Sequence, residues 1–318
     1  MESADKLEMH YYFNDDSHSM DAIVKNKCEA EILAILLEAA DILKIDIDVN
    51  SEVYREGGLR DFWRVLGSNN NQVTILLMIV TVVLSRVPLS DPEVNALEKE
   101  IKQLTIEEKK LNIEKLKLEL KEKTVQQIGE ETIGKAARHV DKSLKIVKRR
   151  SNLYSHLSSY HKVTRVGINA VSPSFEPFVD ERVIERANFK NFILSSNKLK
   201  SDIDEGAVIE IISPVLREGR YKWKGIYEDK PISFDMHDAD FKEEVLLEKV
   251  GFKHGSTITC VLRIARELDE VGEIKITGYS VATVIEITEG TETKATKQGY
   301  RYMHAKKMRD SQGDLFTS

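Results

Sequence analysis

Several chemistries are excluded by what this chain lacks. Cysteine is nearly absent: Cys28 and Cys260 are the only two in 318 residues. They lie far apart in apolar patterns, which argues for buried thiols rather than a disulfide framework or a zinc site. A whole-chain positive charge is missing too, since 47 Lys and Arg face 53 Asp and Glu for a net charge of −6. Attraction to nucleic acid or anionic lipid must therefore come from local clusters. There is no Gly-rich phosphate loop, no His-Glu-x-x-His and no Gly-x-Ser-x-Gly, so no compact motif announces a reaction or a cofactor. The start, Met1-Glu2-Ser3-Ala4-Asp5, is acidic and lacks the basic and apolar regions of a secretory signal, giving a cytoplasmic expectation. The composition, 41% hydrophobic and 31% charged, is too apolar for disorder and too charged for a polytopic membrane protein.

What is present divides into five stretches. Residues 1–68 read as an N-terminal α/β unit. Met9 to Phe13 is an aromatic strand, and apolar residues from Met20 to Leu43 recur at three- and four-residue steps, the stripe of a long amphipathic helix. Ile45, Ile47 and Val49 alternate with polar residues as a half-buried strand, and Leu59, Phe62, Trp63 and Leu66 suggest a short closing helix. Asp15, Asp16, Ser17, His18 and Asp21 concentrate ligand types at the strand-to-helix junction. The same residues cap a helix and complement its dipole, and capping is the reading adopted.

Residues 72–88 form an apolar helix centred on the uncharged run Val73–Leu84, which rises only about 18 Å against a bilayer core of roughly 30 Å. It belongs in a protein core or oligomer interface, or, as the alternative, at the inner face of a membrane. Residues 90–162 read as long charged and basic helices. Ser90-x-x-Glu93 is a capping box, and Leu97, Leu104, Leu111, Leu118 and Val125 repeat every seven residues. Of the companion heptad positions Ile101, Glu108, Lys115 and Glu122, the last three are charged, so coiled-coil-like packing in a bundle or homo-oligomer fits better than a two-stranded zipper. Between Thr132 and Arg165 nine cations, among them Lys142, Lys145, Lys148, Arg149 and Arg150, stand against Asp141 alone. Such a helix can bind nucleic-acid phosphates, contact anionic lipid or pair with acids elsewhere in the protein.

Residues 163–290 turn to strands. Val208–Leu216, Tyr221–Tyr227 and Ile232–Met236 precede a helix capped by Asp238, and two long strands follow, Ser256–Leu268 and Glu273–Ile287. Three strands, a helix and two strands resemble the order of an OB-type barrel, whose exposed face often takes oligonucleotides. Alternation along Tyr221–Ile226 makes Lys222, Trp223 and Lys224 candidate base-stacking and phosphate contacts, or else places the aromatic inside and the lysines outside. Glu273-Ile274-Lys275 has the acid-x-lysine spacing of some metal-dependent nucleases, without an identifiable partner acid. Residues 291–318 read as a polar basic tail.

The expected class is α+β: an N-terminal α/β unit, central helices with coiled-coil-like repeats, and a small β-barrel of OB-like order. The expected activity is non-enzymatic polyanion binding by a self-associating chain without cofactor or metal. A membrane-acting oligomeric effector and a metal-dependent nuclease or hydrolase are the alternatives.

Overall fold

A computed structural model describes residues 3–15, 19–52, 59–87 and 129–314, with side chains through 309. The capping box at Ser90 and the heptads from Leu97 to Val125 lie outside the described residues. The chain forms two compact units, Met1–Asn197 with Leu268–Glu273, and Lys198–Glu267 with Ile274–Ser318.

The first unit is built on a five-stranded sheet of order β2-β3-β1-β4-β5. Strand β1 (Lys6–Phe13) is central, pairing antiparallel with β3 (Leu59–Gly67) and β4 (Val163–Val171). Strands β2 (Ile47–Glu52) and β5 (Arg182–Glu185) form the edges. Helix α1 (Ala22–Leu43) begins where Asp21 accepts the amides of Ile23 and Val24 at 2.9 and 3.0 Å, so Asp21 is the cap within the acidic junction. It ends at Lys44, whose left-handed backbone lets its amide close on Ala40 and Asp41.

Residues 59–67 are a strand, not the helix their spacing suggests. Phe62 and Trp63 are adjacent and both buried, so they occupy opposite faces of a sheet covered on both sides. A strand apolar on both faces shows no alternation, and its 59, 62, 63, 66 spacing then mimics a helical stripe.

Helix α2 (Asn70–Ser85) carries the uncharged run. Ile75, Leu76, Leu77, Ile79, Val80, Val83 and Leu84 are all fully buried in the core of the first unit, against the sheet and helix α3 (Glu130–Val140). Each such side chain contributes roughly 1.5–3 kcal/mol on leaving water. This segment is therefore core, and among the described residues no helix is long and apolar enough to cross a membrane. Helix α4 (Leu144–Ser159) packs on α1. The expected single basic helix is thus two, broken at residues 141–143.

Strands β4 and β5 complete the first sheet, which moves the division between units from residue 163 to 197/198. The second unit contains β6 (Lys198–Ser213), β7 (Trp223–Tyr227), β8 (Lys230–Met236), α5 (Ala239–Leu246), β9 (Thr257–Leu268) and β10 (Ile274–Glu289). Pairings β6–β7, β7–β8, β8–β10, β10–β9 and β9–β6 close a five-stranded barrel, in which β8 and β10 run parallel. Asp238 caps α5 by accepting the amide of Phe241, and its other oxygen accepts that of Val284. Both oxygens are spent on backbone, in keeping with the capping role read there.

The described residues of the expected tail form a strand and a helix. Strand β11 (Glu292–Ala295) pairs with β10, and α6 (Lys297–Asp314) packs on β10. Its start is fixed by Thr296, whose hydroxyl donates to Val284 O and accepts the Gly299 amide.

Candidate nucleic-acid interface

The basic cluster of residues 142–150 is not a solvent-facing cationic stripe. Lys142 lies half-buried in the turn between α3 and α4. Lys145 pairs with Glu273 at 2.8 Å and Glu38 at 3.9 Å. Lys148 is buried and donates to Asn197 Oδ1 at 2.9 Å. Arg149 meets Glu31 at 3.2 Å. Arg150 is fully buried, donating to Asp141 Oδ1 at 2.7 Å and to the carbonyl of Val83. A buried cation requires a partner. Here the partners come from α1, α2, the α3–α4 turn, Asn197 and Glu273, so these charges join elements of the first unit.

The barrel residues separate cleanly. Along β7, Trp223 points inward, Lys224 outward and Gly225 inward. Trp223 is 1% exposed and packs among Phe234, Phe241 and Phe252 with ring centroids 6.2, 6.1 and 5.6 Å away. It is a core side chain, not a base-stacking platform. Lys222 and Lys224 are exposed. Lys222 Nζ lies 3.5 Å from Asp235 Oδ2, both side chains being about half exposed. Lys224 stands between Ser213 on β6 and Ser233 on β8, both exposed.

The connection from β6 to β7, residues 214–222, adds what the sequence reading passed over. Arg217 and Arg220 are exposed there against Glu218 alone. Tyr221 and Leu216 remain 54% and 71% exposed. Gly219 shapes the loop: its φ of 136° suits glycine, and a Cβ there would stand 2.7 Å from the Tyr221 ring. The Gly219 carbonyl accepts from Lys242 Nζ at 3.2 Å, tying the loop to α5. Four exposed cations and an exposed aromatic ring therefore lie within the 214–222 loop and the start of β7, with Ser213 and Ser233 flanking Lys224. Such a grouping can meet phosphates by charge and bases by stacking.

A second concentration of polar groups lies on the first sheet. Along β1, Leu7, Met9 and Tyr11 pack into the hydrophobic core, while Lys6, Glu8, His10 and Tyr12 face the other way. Arg60 holds Glu8 at 2.9 Å, and Glu181 accepts from Tyr12 Oη at 2.8 Å and lies 3.5 Å from His10. Lys6 donates to Pro173 O at 2.9 Å, so the 172–181 connection is tied to this face at both ends. Glu8 and Tyr12 are satisfied across the sheet, whereas His10 Nδ1 is buried without a hydrogen-bond partner. The signal that could have found them was the alternation Lys-Leu-Glu-Met-His-Tyr-Tyr of residues 6–12, polar on one face of a strand aromatic on both.

Burial, reinforced by Arg60, pushes the His10 pKa down, and burial does the same at His139 and His156. Burial pushes Glu8 up against the opposing pull of Arg60. A histidine with a depressed folded-state pKa contributes stability above its unfolded value of about 6.5, and loses it as pH falls. The first unit of the natural protein should therefore lose stability between pH about 7.5 and about 5.5 more steeply than a His10→Gln variant. Urea midpoints followed by Trp63 fluorescence, with Trp223 replaced by Phe in both proteins, test this, and equal slopes would remove His10 from the proton balance.

Among the described residues no group of three or more His, Cys, Asp or Glu is placed to hold a metal ion. Glu273, the acid of the nuclease-like spacing, is engaged by Lys145. No protein family, curated protein or solved structure matches this chain.

Proposed function

We propose that this chain binds single-stranded nucleic acid on the outer face of its C-terminal barrel, without catalysing a reaction, and that it does so as a self-associated protein. The observation that carries the reading is Arg217, Arg220, Lys222 and Lys224 displayed beside the exposed ring of Tyr221. The strand order supports it. Three strands, a helix and two strands, closed with the third and fifth parallel, suit an OB-type barrel. Such barrels take oligonucleotides on their second and third strands and on the loop joining the first two. Here those are β7, β8 and the 214–222 loop.

A basic face without base-edge contacts binds with strong salt dependence and little sequence preference. Fluorescence anisotropy with a labelled oligo-dT over a salt series is the direct test. The log–log slope should shrink by about 3 when all four cations become Gln, because each phosphate contact on a single strand contributes about 0.7. Tyr221→Ala should cost about 1–3 kcal/mol of binding. Absence of binding at low salt removes the proposal. Sedimentation of the same protein tests self-association, which rests on the leucine repeat of residues 97–125. A mass equal to one 36.3 kDa chain removes that half.

A further inference from the structure

Strand β10 is paired unevenly along its length. It has β8 beside it from Tyr279 to Val281 and β11 from Glu286 to Glu289. From Ile274 to Gly278 it joins the sheet through β9, and among the described residues no strand pairs with its other side. Glu273 turns its carbonyl to the amide of Asp269, just beyond the end of β9. Alternation along the strand then turns the amides and carbonyls of Ile274, Ile276 and Gly278 to the open side. An open row of that kind is a template for another strand.

The side chains along this edge favour pairing. Ile274 and Ile276 are 45% and 48% exposed, and Lys275 is the one charge between Ile274 and Gly278. The free edge of β6 is built differently. It pairs with β7 only from Glu210 to Ser213, and before that it carries Lys198, Lys200, Asp202, Asp204 and Glu205, the charges that discourage edge-to-edge contact. Gly278 is a separate observation. A Cβ there would meet nothing within 4 Å and its φ is not left-handed, so neither crowding within the chain nor conformation accounts for a glycine. Glycine weakens a strand interior, and it is one mark of the close approach of another backbone.

We infer that Ile274–Gly278 pairs antiparallel with the same segment of a second copy of this chain, about a two-fold axis at Ile276. That register sets Ile276 against its own copy and Ile274 against the partner's Gly278. The isoleucine covers the space that the glycine leaves open. Lys275 falls opposite the partner's Thr277, so the two cations are not set against each other. A segment with this pattern complements itself, which is what a two-fold contact between identical chains requires and an unrelated partner does not. The inference rests on the self-association proposed above and gives it a location outside the leucine repeat.

Sedimentation equilibrium of the full chain tests it by placing charges on the axis. Ile276→Lys and Ile276→Glu each set like charges opposite one another in place of an apolar pair, and each should weaken association by about tenfold or more. An equimolar mixture of the two variants sets Lys against Glu and should regain the mass of the natural protein. Ile276 is half-exposed, so melting curves of both variants should match the natural protein. If both variants keep the natural mass, the chain associates elsewhere and this edge is not its interface. If both lose association and the mixture does not recover it, the two-fold register is wrong. A natural chain that sediments at 36.3 kDa removes self-association, and this interface with it.

Discussion

Arg150→Ala should destabilise the first unit by about 3–5 kcal/mol, the cost of leaving a buried charge without its partner. The guanidinium is fully buried and donates to Asp141 Oδ1 and to the Val83 carbonyl, joining α4 to the α3–α4 turn and the end of α2. Asp141 is already pushed up by burial and held down mainly by Arg150. Without Arg150 its carboxyl rises further above the unfolded value. A group raised in the folded state contributes stability below its unfolded pKa and loses it as pH rises through the folded one. The deficit of Arg150→Ala should therefore be smallest near pH 4 and reach full size towards neutrality. Arg86, 3.4 Å from Asp141, softens this without cancelling it.

Two comparisons separate this from a general loss of charge. Replacing both partners, Arg150→Met with Asp141→Leu, should recover most of the stability, because apolar side chains of similar volume do not need each other's charge. Lys145→Ala removes a cation from the same helix, but that side chain is 44% exposed and should cost no more than about 1 kcal/mol. Chemical denaturation in a Trp223→Phe background, which leaves Trp63 as the fluorophore, reports the first unit. Equal losses in Arg150→Ala and Lys145→Ala would contradict the burial of Arg150.

Arg150 also marks the limit of reading this chain locally. Cation density along residues 142–150 is a property of the sequence, whereas burial depends on what folds over it. The carbonyl that Arg150 binds is 67 residues away, and Glu31, which pairs Arg149, is 118 away. Neither distance leaves a trace in spacing. The polar network of β1 was hidden for the same reason, since Arg60 and Arg165 reach it from strands and Glu181 from a connection distant in sequence. What could be read was local. The three- and four-residue steps of α1, the Asp238 cap and the strand–strand–strand–helix–strand–strand order of the barrel all come from short-range periodicity. The polar α6 lacked an apolar stripe, and its start is held against β10 by Thr296 and the close approach of Gly299. The first half of β6, Lys198–Gly206, is mostly exposed and polar, so the expected strand began at Val208.

Trp223→Ala should destabilise the second unit by about 3–5 kcal/mol, the usual cost of emptying a fully buried aromatic site. Trp63 fluorescence reports the unfolding of the first unit in the same sample, so an effect confined to the barrel leaves that signal at its natural midpoint. Trp223→Phe should cost far less than its loss of volume implies. The indole N–H of Trp223 is buried without a hydrogen-bond partner, and removing it relieves an unmet donor worth about 1–3 kcal/mol. The phenylalanine keeps its contacts with Phe234, Phe241 and Phe252, the rings that hold the indole now. This variant also tests which side of the barrel wall the proposed nucleic-acid binding would use. Lys224 and Tyr221 are outside, and Trp223 is inside. A folded Trp223→Phe protein should therefore bind oligo-dT as the natural protein does, while Tyr221→Ala should not. If Trp223→Phe stays folded yet loses binding as Tyr221→Ala does, the indole reaches the ligand and the inward orientation of β7 is wrong.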